Sequence, residues 1–439
     1  MSSPFKLLKT RRFGPLFLTQ FLGAFNDNLF KNALVVLLTF QAAHWTTLRP
    51  ELLGNLASGI FILPYFLFSA TAGQLADKYD KARLARLVKM LEMLIMGIAA
   101  AGFFMNSLVV LMGALFLLGL HSALFGPVKY AILPQLLHED EVVAGNALVE
   151  AGTFVAILVG MLVGGMLAAA VAHPAWIAVG GFCVAVTGYL TSRGIPSAPP
   201  PVPELRLSFN PLTETWRNIA FARQNRLVFL SILAISWFWL YGGLFVAQFP
   251  AYAKVVLGGG ESAVILLLAT FTVGIGVGSM LCSRMSGRHL EIGLVPVGAI
   301  GLTLFGVDLY FASPVGLAGT TAHELLALLS IPAVWRVLFD LMMLGAFGGI
   351  FTVPLYALLQ LRSAPDHRAR IIAGNNILNA LFMVVGALGA ASLLGAGLSM
   401  PALFGLGALL NGLVAACIFW RLPEFLQRFA AWSRQWRLP

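Results

Sequence analysis

Charged residues are scarce in this chain, and their scarcity excludes a soluble protein. Only 10% of the 439 residues are charged, whereas 59% are hydrophobic, which is not the composition of a water-soluble globular domain. Cysteines are also few, and Cys183, Cys282 and Cys417 all fall in or at the ends of apolar stretches. A small apolar side chain suits such positions, so these cysteines indicate neither a disulfide framework nor a metal site.

The chain also lacks the residue clusters that most enzymes need. It contains no nucleophile and base at workable spacing, no histidine–carboxylate acyltransferase cluster and no set of metal ligands. Its seven histidines are scattered, and we assign them no proton or metal role. We therefore expect a protein that is not an enzyme and that needs no cofactor.

Apolar stretches of about 20 residues or more, the length that spans a bilayer as a helix, recur along the whole chain. They predict an all-α integral membrane protein of about twelve transmembrane helices, not an outer-membrane barrel of short alternating strands. The first stretch is too long for the core of a signal peptide, so we read it as a retained helix. The predicted spans lie near residues 13–42, 53–77, 83–104, 107–136, 142–171, 174–192, 226–254, 262–284, 290–312, 333–360, 371–396 and 399–421.

The spans fall into two sets of six, separated by a proline-rich segment at 196–203 that predicts an extended linker. Asn210-Pro211 then begins a predicted amphipathic helix at the cytoplasmic surface. Most of the 28 lysines and arginines, including the group from Lys78 to Lys89, fall on one side of the alternating spans. The positive-inside rule therefore predicts two cytoplasmic termini, and it explains the net charge of +10 without nucleic-acid binding. The predicted divisions are an N-terminal half at 1–192, a linker at 193–225, a C-terminal half at 226–421 and a cytoplasmic tail at 422–439.

A run of amides and charges interrupts the first span. Asp27 and Lys31 lie one helical turn apart, and Asn28 and Asn32 flank them, so one face of the helix is polar. A charged side chain at the middle of a bilayer costs about 2.5 to 3.5 kcal/mol, which makes this run a predicted functional site. The alternative is that Asp27 and Lys31 only neutralise each other and hold the helix bundle together.

The loop between the second and third spans carries a spaced motif. Gly73, Asp77, Lys78 and Arg83 follow the pattern of glycine, three residues, aspartate and then basic residues. This pattern resembles the signature of the major facilitator superfamily. Gly73 permits close helix packing, and Asp77 is expected to accept from basic groups or from a helix N-terminus, holding the cytoplasmic side closed.

The second half repeats parts of the first. The equivalent loop keeps Gly278 and Arg284 as predicted gating residues but has Cys282 in place of the aspartate, so the predicted gate is asymmetric. The segment at 144–148 is echoed at 373–377, each at the start of a span. Repeats at matching positions are typical of a duplicated transporter fold whose binding site lies between its halves.

Four segments narrow the resemblance to the bacterial lysophospholipid transporter family. They are Phe21–Asn28, Gly126–Leu133, Asn146–Ala151 and Val353–Gln360. The resemblance implies a monomer of the bacterial inner membrane that moves lysophosphatidylethanolamine from the outer to the inner leaflet for reacylation. Because many relatives are fused to a cytoplasmic acyltransferase and acyl-carrier-protein synthetase, such an enzyme is the implied partner.

The resemblance also implies site residues. By motif, Asp27 and Lys129 belong to the family's polar cavity, where Lys129 would face the lipid phosphate and Asp27 the ethanolamine ammonium. Glu150 is either a proton-binding group or a structural partner of Lys129. A basic residue that relatives carry in the seventh span has no counterpart in Trp237–Pro250. With Asn28 and Lys31, these residues form the predicted substrate site.

Other readings stay open at this point. The same fold would serve a proton-coupled exporter of amphipathic drugs, in which Asp27 or Glu150 titrates during transport. Glu92 is predicted to be structural, Arg336 and Asp340 are predicted to pair within one helix, and Asp308 lies deep in a span without a motif.

Overall fold

The computed structural model describes residues 4–40, 46, 50–170, 173–287, 289–314, 317 and 324–435. Within these residues the chain forms sixteen α-helices joined by turns and loops. The first eight are α1 (Gly14–Phe40), α2 (Pro50–Lys78), α3 (Lys81–Phe104), α4 (Leu108–Ala131), α5 (Leu133–Leu136), α6 (Val142–Ala170), α7 (Ala175–Ser192) and α8 (Pro211–Arg223). The other eight are α9 (Arg226–Val255), α10 (Glu261–Met285), α11 (Leu294–Ala312), α12 (Leu325–Leu329), α13 (Pro332–Arg362), α14 (Arg368–Gly395), α15 (Met400–Arg421) and α16 (Glu424–Gln435).

Twelve long helices correspond to the twelve predicted spans, which confirms the all-helical membrane fold. Among the described residues, eleven helices are long and apolar enough to cross a membrane. The twelfth is α1, which has 27 residues and differs from the others because the polar run around Asp27 interrupts its apolar sequence. The chain is therefore a multi-pass membrane protein.

One predicted boundary was wrong. The fourth span was expected to continue to residue 136, but α4 ends at Ala131. Pro134 lacks the N–H that would bond back to Tyr130, which explains why the helix ends there. The tail beyond 421 also contains a helix, α16. Arg428 in α16 donates to Glu291 at 2.8 Å.

The helices form two compact units. Unit 1 comprises Met1–Gly145, Val155–Asn225 and Gln360–Ala380, and unit 2 comprises Asn146–Phe154, Arg226–Leu359 and Leu381–Pro439. Helices α6, α13 and α14 therefore contribute residues to both units. The predicted domain divisions at 192 and 226 remain a prediction.

In unit 1, α6 packs directly against the polar part of α1. A Cβ atom on Gly160 would lie 2.4 Å from the backbone oxygen of Phe25, and one on Gly164 would lie 2.3 Å from that of Leu29. These glycines form a small-xxx-small pair, which lets two helix backbones approach closely in a membrane. This contact fixes the segment of α1 that carries Asp27.

In unit 2, glycines bring α10 and α13 together in the same way. A Cβ on Gly274 would lie 2.2 Å from the backbone oxygen of Met342, and one on Gly278 would overlap the backbone oxygen of Ala346. Gly278 is therefore a packing residue between two helices. Arg284 lies near the end of α10 and is exposed, while Cys282 is buried.

The proline-rich linker before α8 contains no helix, and it is bonded to the turn between α2 and α3. Val202 donates its N–H to the backbone oxygen of Asp77 at 3.0 Å, and Lys81 donates to that of Ala198 at 3.1 Å. Asn210 caps α8, as expected, by accepting from the N–H groups of Leu212 and Thr213. The linker is thus part of unit 1 and not a free tether.

Candidate functional site

The carboxylate of Asp27 lies on the polar face of α1 and is only 7% exposed. The hydroxyl of Ser122 on α4 donates a short hydrogen bond to Oδ2 of Asp27. The other oxygen, Oδ1, has no hydrogen-bond partner among the described residues. The nearest nitrogen recorded for it is Nδ1 of His121, at 3.7 Å. One half of this carboxylate is therefore held in place and the other half is open to a donor.

His121 connects Asp27 to a second carboxylate, that of Glu92 on α3. Nε2 of His121 lies 3.2 Å from Oε2 of Glu92. The same Oε2 atom accepts from Nζ of Lys89 at 2.5 Å, and Oε1 accepts from the amide of Asn26 at 2.7 Å. We call these five residues the buried charge cluster: Asn26, Asp27, Lys89, Glu92 and His121.

The cluster is buried inside unit 1, with Asp27 its most exposed member at 7%, so its charges depend on one another. Lys89 and Glu92 are both fully buried, and two such charges are stable only as a pair. The ring nitrogens of His121 lie 3.2 Å from Glu92 and 3.7 Å from Asp27, but neither makes a hydrogen bond among the described residues. Oδ1 of Asp27 therefore has no donor inside the cluster.

The remaining predicted residues of α1 differ in their roles. Nζ of Lys31 lies 5.0 Å from the centre of the Phe61 ring. The amide of Asn28 donates to the backbone of its own helix, at Ala24, and the amide of Asn32 donates to Met161 on α6. Asn32 thus holds α1 to α6, while Lys31 is the basic side chain one turn from Asp27 on the same helix.

Lys129 belongs to the same unit as this cluster, whereas Glu150 belongs to the other unit. Lys129 lies two turns beyond Ser122 on α4, about 10 Å along the helix axis, and its Nζ is 4.5 Å from the Tyr130 ring centre. Glu150 is buried and belongs to unit 2. Their part in a shared site with Asp27 remains a prediction.

Sequence reasoning missed two members of the cluster. Lys89 was counted with the cytoplasmic charges, but it is buried and paired with Glu92. His121 was set aside with the scattered histidines, although it lies in the middle of α4 and not at a span end. A polar ring at that depth is itself costly in a membrane, and this was the signal that would have found it.

The predicted gate around Asp77 forms the kind of contact that the motif indicated. Oδ2 of Asp77 accepts from Nε of Arg370 at 2.9 Å, and Oδ1 accepts from the N–H of Ala369 at 3.2 Å. These donors are a basic group and the N-terminus of α14, where a carboxylate is favoured. A Cβ on Gly73 would lie 2.9 Å from the Cα of Arg370, so this glycine permits the approach. The gating role itself remains a prediction.

The basic residues of the same motif serve the linker and the turn. Nζ of Lys78 donates to the backbone of Leu205 at 2.7 Å, and the N–H of Arg83 donates to Asp80 at 2.8 Å. Burial acts to raise the pKa of Asp80, but hydrogen bonds from Ser197 and from nearby N–H groups outweigh it, so the pKa lies below its ordinary value. Asp80 therefore holds the linker as a carboxylate.

In unit 2 the expected pairing of Arg336 with Asp340 was wrong. Arg336 instead binds both oxygens of Asp308 on α11, at 3.2 Å through Nε and by a shorter contact through Nη2. A guanidinium fork fits a carboxylate with two parallel bonds, which a neighbour one turn away on the same helix does not easily allow. Asp340 is left fully buried.

A family model for the Major Facilitator Superfamily matches residues 16–329. The chain belongs to this superfamily. The human organic anion transporter MFSD10 superposes with a TM-score of 0.71 at 16% identity, covering 93% of this chain and 99% of that one. The Major Facilitator Superfamily transporter FucP, in the outward conformation, gives a TM-score of 0.68 at 14% identity, covering 93% of this chain and 98% of that one. At these identities the two structures support the superfamily fold alone.

Relatives named Lysophospholipid transporter LplT are similar to this superfamily member over most of its length. The protein of Escherichia coli strain K12 / DH10B is 29% identical over 416 residues, which is 92% of this chain and 94% of that protein. The protein of Enterobacter sp. strain 638 is 29% identical over 365 residues, or 82% and 81%. Both names, together with the superfamily, point to a transporter and not to an enzyme.

Proposed function

We propose that this chain is a lysophospholipid transporter of the bacterial inner membrane. It moves lysophosphatidylethanolamine and related lyso lipids from the outer to the inner leaflet by alternating access. Similarity to transporters of that name over 92% of the chain supports the substrate class. The observation that carries the proposal is the carboxylate of Asp27, which keeps one oxygen free of hydrogen bonds within a membrane helix.

The free oxygen of Asp27 receives the ethanolamine ammonium of the substrate. The ring nitrogen of His121 nearest to Oδ1 of Asp27 is 3.7 Å away, so this oxygen has no hydrogen-bond donor among the described residues. An ammonium group then supplies both the missing hydrogen bond and the missing charge, and such charge-assisted bonds are among the strongest. His121 and Glu92 thus position Asp27 and do not themselves contact the headgroup.

The phosphate of the headgroup needs a cation near Asp27. Lys31 lies one turn away on α1, and Lys129 lies two turns beyond Ser122 on α4. We assign the phosphate to these lysines, because a long flexible ammonium side chain binds phosphate as a mobile point charge. A zwitterionic headgroup therefore meets one charge of each sign.

The product of this movement is a lyso lipid in the inner leaflet. A lyso lipid lacks one acyl chain, so a cytoplasmic acyltransferase with an acyl-carrier-protein synthetase is the proposed functional partner. The transporter itself is proposed to act as a monomer, with both termini in the cytoplasm.

The proposal is tested with the purified protein in proteoliposomes. We expect fluorescent lysophosphatidylethanolamine to cross the bilayer, the diacyl form to remain in place, and Asp27→Asn to lose most of the transport. Asp140→Asn is the matched control, because it makes the same chemical change at an exposed carboxylate of unit 1. It should transport like the unmodified protein.

Two outcomes would reject this function. One is equal movement of lyso and diacyl lipids, which would indicate a nonspecific scramblase. The other is no lipid movement together with export of amphipathic cations driven by an imposed pH gradient. That result would support a drug exporter in which Asp27 carries the coupling proton.

A further inference from the structure

Asp340 on α13 is a carboxylate without a donor. It is fully buried, and neither of its oxygens has a hydrogen-bond partner among the described residues. Leaving a buried ionised carboxylate unpaired costs far more than leaving a neutral polar group unpaired. A single ionised Asp340 is therefore not a stable arrangement for this site.

The group that Asp340 meets is a second carboxyl, that of Asp308 on α11. Arg336 lies one helical turn before Asp340 on α13 and binds Asp308, which brings Asp308 to the part of α13 that carries Asp340. Neither carboxyl is a donor when both are ionised, so the contact requires a proton. In this structure Arg336 does not replace that proton, because its hydrogen bonds go to both oxygens of Asp308 and neither oxygen of Asp340 has a donor among the described residues.

The other groups around the pair do not supply a second positive charge. Arg336 and Asp308 are the charged groups that interact electrostatically with Asp340. Tyr252 at the end of α9 also interacts with it electrostatically. The hydroxyl of Tyr252 is bonded to Ser313 at 2.7 Å. Two carboxylates and one guanidinium leave one negative charge over, and one proton cancels it.

We propose that Asp308 and Asp340 together form a proton-binding site that holds one proton at neutral pH. Asp340 donates that proton to Asp308, and Arg336 balances the remaining negative charge. Asp308 is 38% exposed in its side chain and Arg336 51%, so the proton exchanges through this open side of the pair. The site is separate from the proposed substrate carboxylate, since it lies in unit 2 and Asp27 lies in unit 1.

When the pair loses its proton, the present position of α13 becomes less stable. Release to water leaves Asp340 as a buried carboxylate beside another carboxylate, and two such neighbours resist simultaneous ionisation. The strain is relieved when α13 moves Asp340 toward water or toward Arg336. At the glycines between α10 and α13, the backbones of the two helices contact each other without intervening side chains. Packed helices shift against one another by small sliding motions.

Infrared spectroscopy of the purified protein tests the bound proton directly. At neutral pH we expect a protonated-carboxyl C=O band that disappears in Asp340→Asn and also in Asp308→Asn, which removes the second carboxylate and leaves Arg336 to balance Asp340 without a proton. Glu291→Gln is the control, because Glu291 is buried in the same unit but already accepts from Arg428 at 2.8 Å. Its band should match that of the unmodified protein. A band that survives both aspartate substitutions would overturn the proposal.

Thermal unfolding in detergent gives a second test that does not depend on any substrate. A proton that the folded state holds and the unfolded state releases makes stability fall as pH rises through neutrality. We expect Asp340→Asn to flatten this fall and Glu291→Gln to keep it. The same pH dependence in the unmodified protein and Asp340→Asn would contradict the proposal. So would stabilisation by added sodium that Asp340→Asn abolishes, because the pair would then be a metal-cation site.

Discussion

Glu92 is the residue on which the buried charge cluster depends. Its two oxygens accept from Lys89 and Asn26 and lie beside His121. All four of these side chains are buried. Replacing one member of a buried ion pair leaves the other charged and unpaired, which is more costly than removing both charges.

We therefore predict that Glu92→Gln lowers the free energy of unfolding by about 3 to 5 kcal/mol. The double variant Lys89→Met with Glu92→Gln should recover part of this loss, because no unpaired ammonium remains. Equilibrium unfolding in detergent measures both. Equal losses in the single and double variants would show that the two charges are not coupled.

At the scale of single residues, the sequence predicted which side chains of α1 are energetically unfavourable in a membrane. It did not predict which side chains pair with them. Asp27 and Lys31 interrupt an apolar run and are visible without a structure. His121 was assigned to the scattered histidines, since its position beside Glu92 depends on how α3 and α4 pack. Lys89 was assigned to a basic loop, although it lies three residues before Glu92 on α3 and its burial depends on the same packing. That packing is tertiary, and a single sequence does not display it.

Helix packing at small residues fixes where the polar face of α1 lies. Gly164 brings α6 against the backbone of Leu29. We predict that Gly164→Ala destabilises the protein by about 1 to 3 kcal/mol, the usual cost of overpacking a tight contact. Gly97→Ala on α3 is the control, because a Cβ there has no neighbour within 4 Å, and it should be neutral or stabilising through better helix propensity. Similar melting temperatures for both variants would argue against a tight α1–α6 contact.

The linker provides a prediction about pH. Because the folded pKa of Asp80 is depressed, its stabilising contribution is complete at neutral pH and is lost as pH falls through that lowered value. Asp80→Ala should expose the linker to limited proteolysis several-fold more at neutral pH, whereas the unmodified linker should become susceptible only in strong acid. Asp140→Ala is the control. Unchanged cleavage of Asp80→Ala would show that the backbone bonds alone hold the linker.

Helix boundaries were predicted well where the length of an uninterrupted apolar stretch determines them. The spans of α3, α7 and α11 match within a few residues, since polar residues and glycines border them. The sequence did not predict α16, because its polar composition resembles a tail and its order depends on contacts such as that of Trp432 with the backbone of Met285.

At the scale of the whole molecule, the chain is organised as two compact units that do not follow the simple division of the sequence. Residues 146–154 of α6 group with unit 2, and residues 360–380 group with unit 1. The repeated sequences at the starts of α6 and α14 indicated duplication, but not this exchange. This exchange follows from tertiary contacts, and the hydropathy of the sequence does not indicate them.

The central claim is that the carboxylate of Asp27 receives a substrate ammonium. The most direct measurement compares two lyso lipids in proteoliposomes, lysophosphatidylethanolamine and lysophosphatidylglycerol, because only the first carries an ammonium group. In the unmodified protein the first should be transported faster, and Asp27→Asn should remove that advantage by slowing it selectively. Equal slowing of both lipids by Asp27→Asn, or an unchanged preference, would contradict the account.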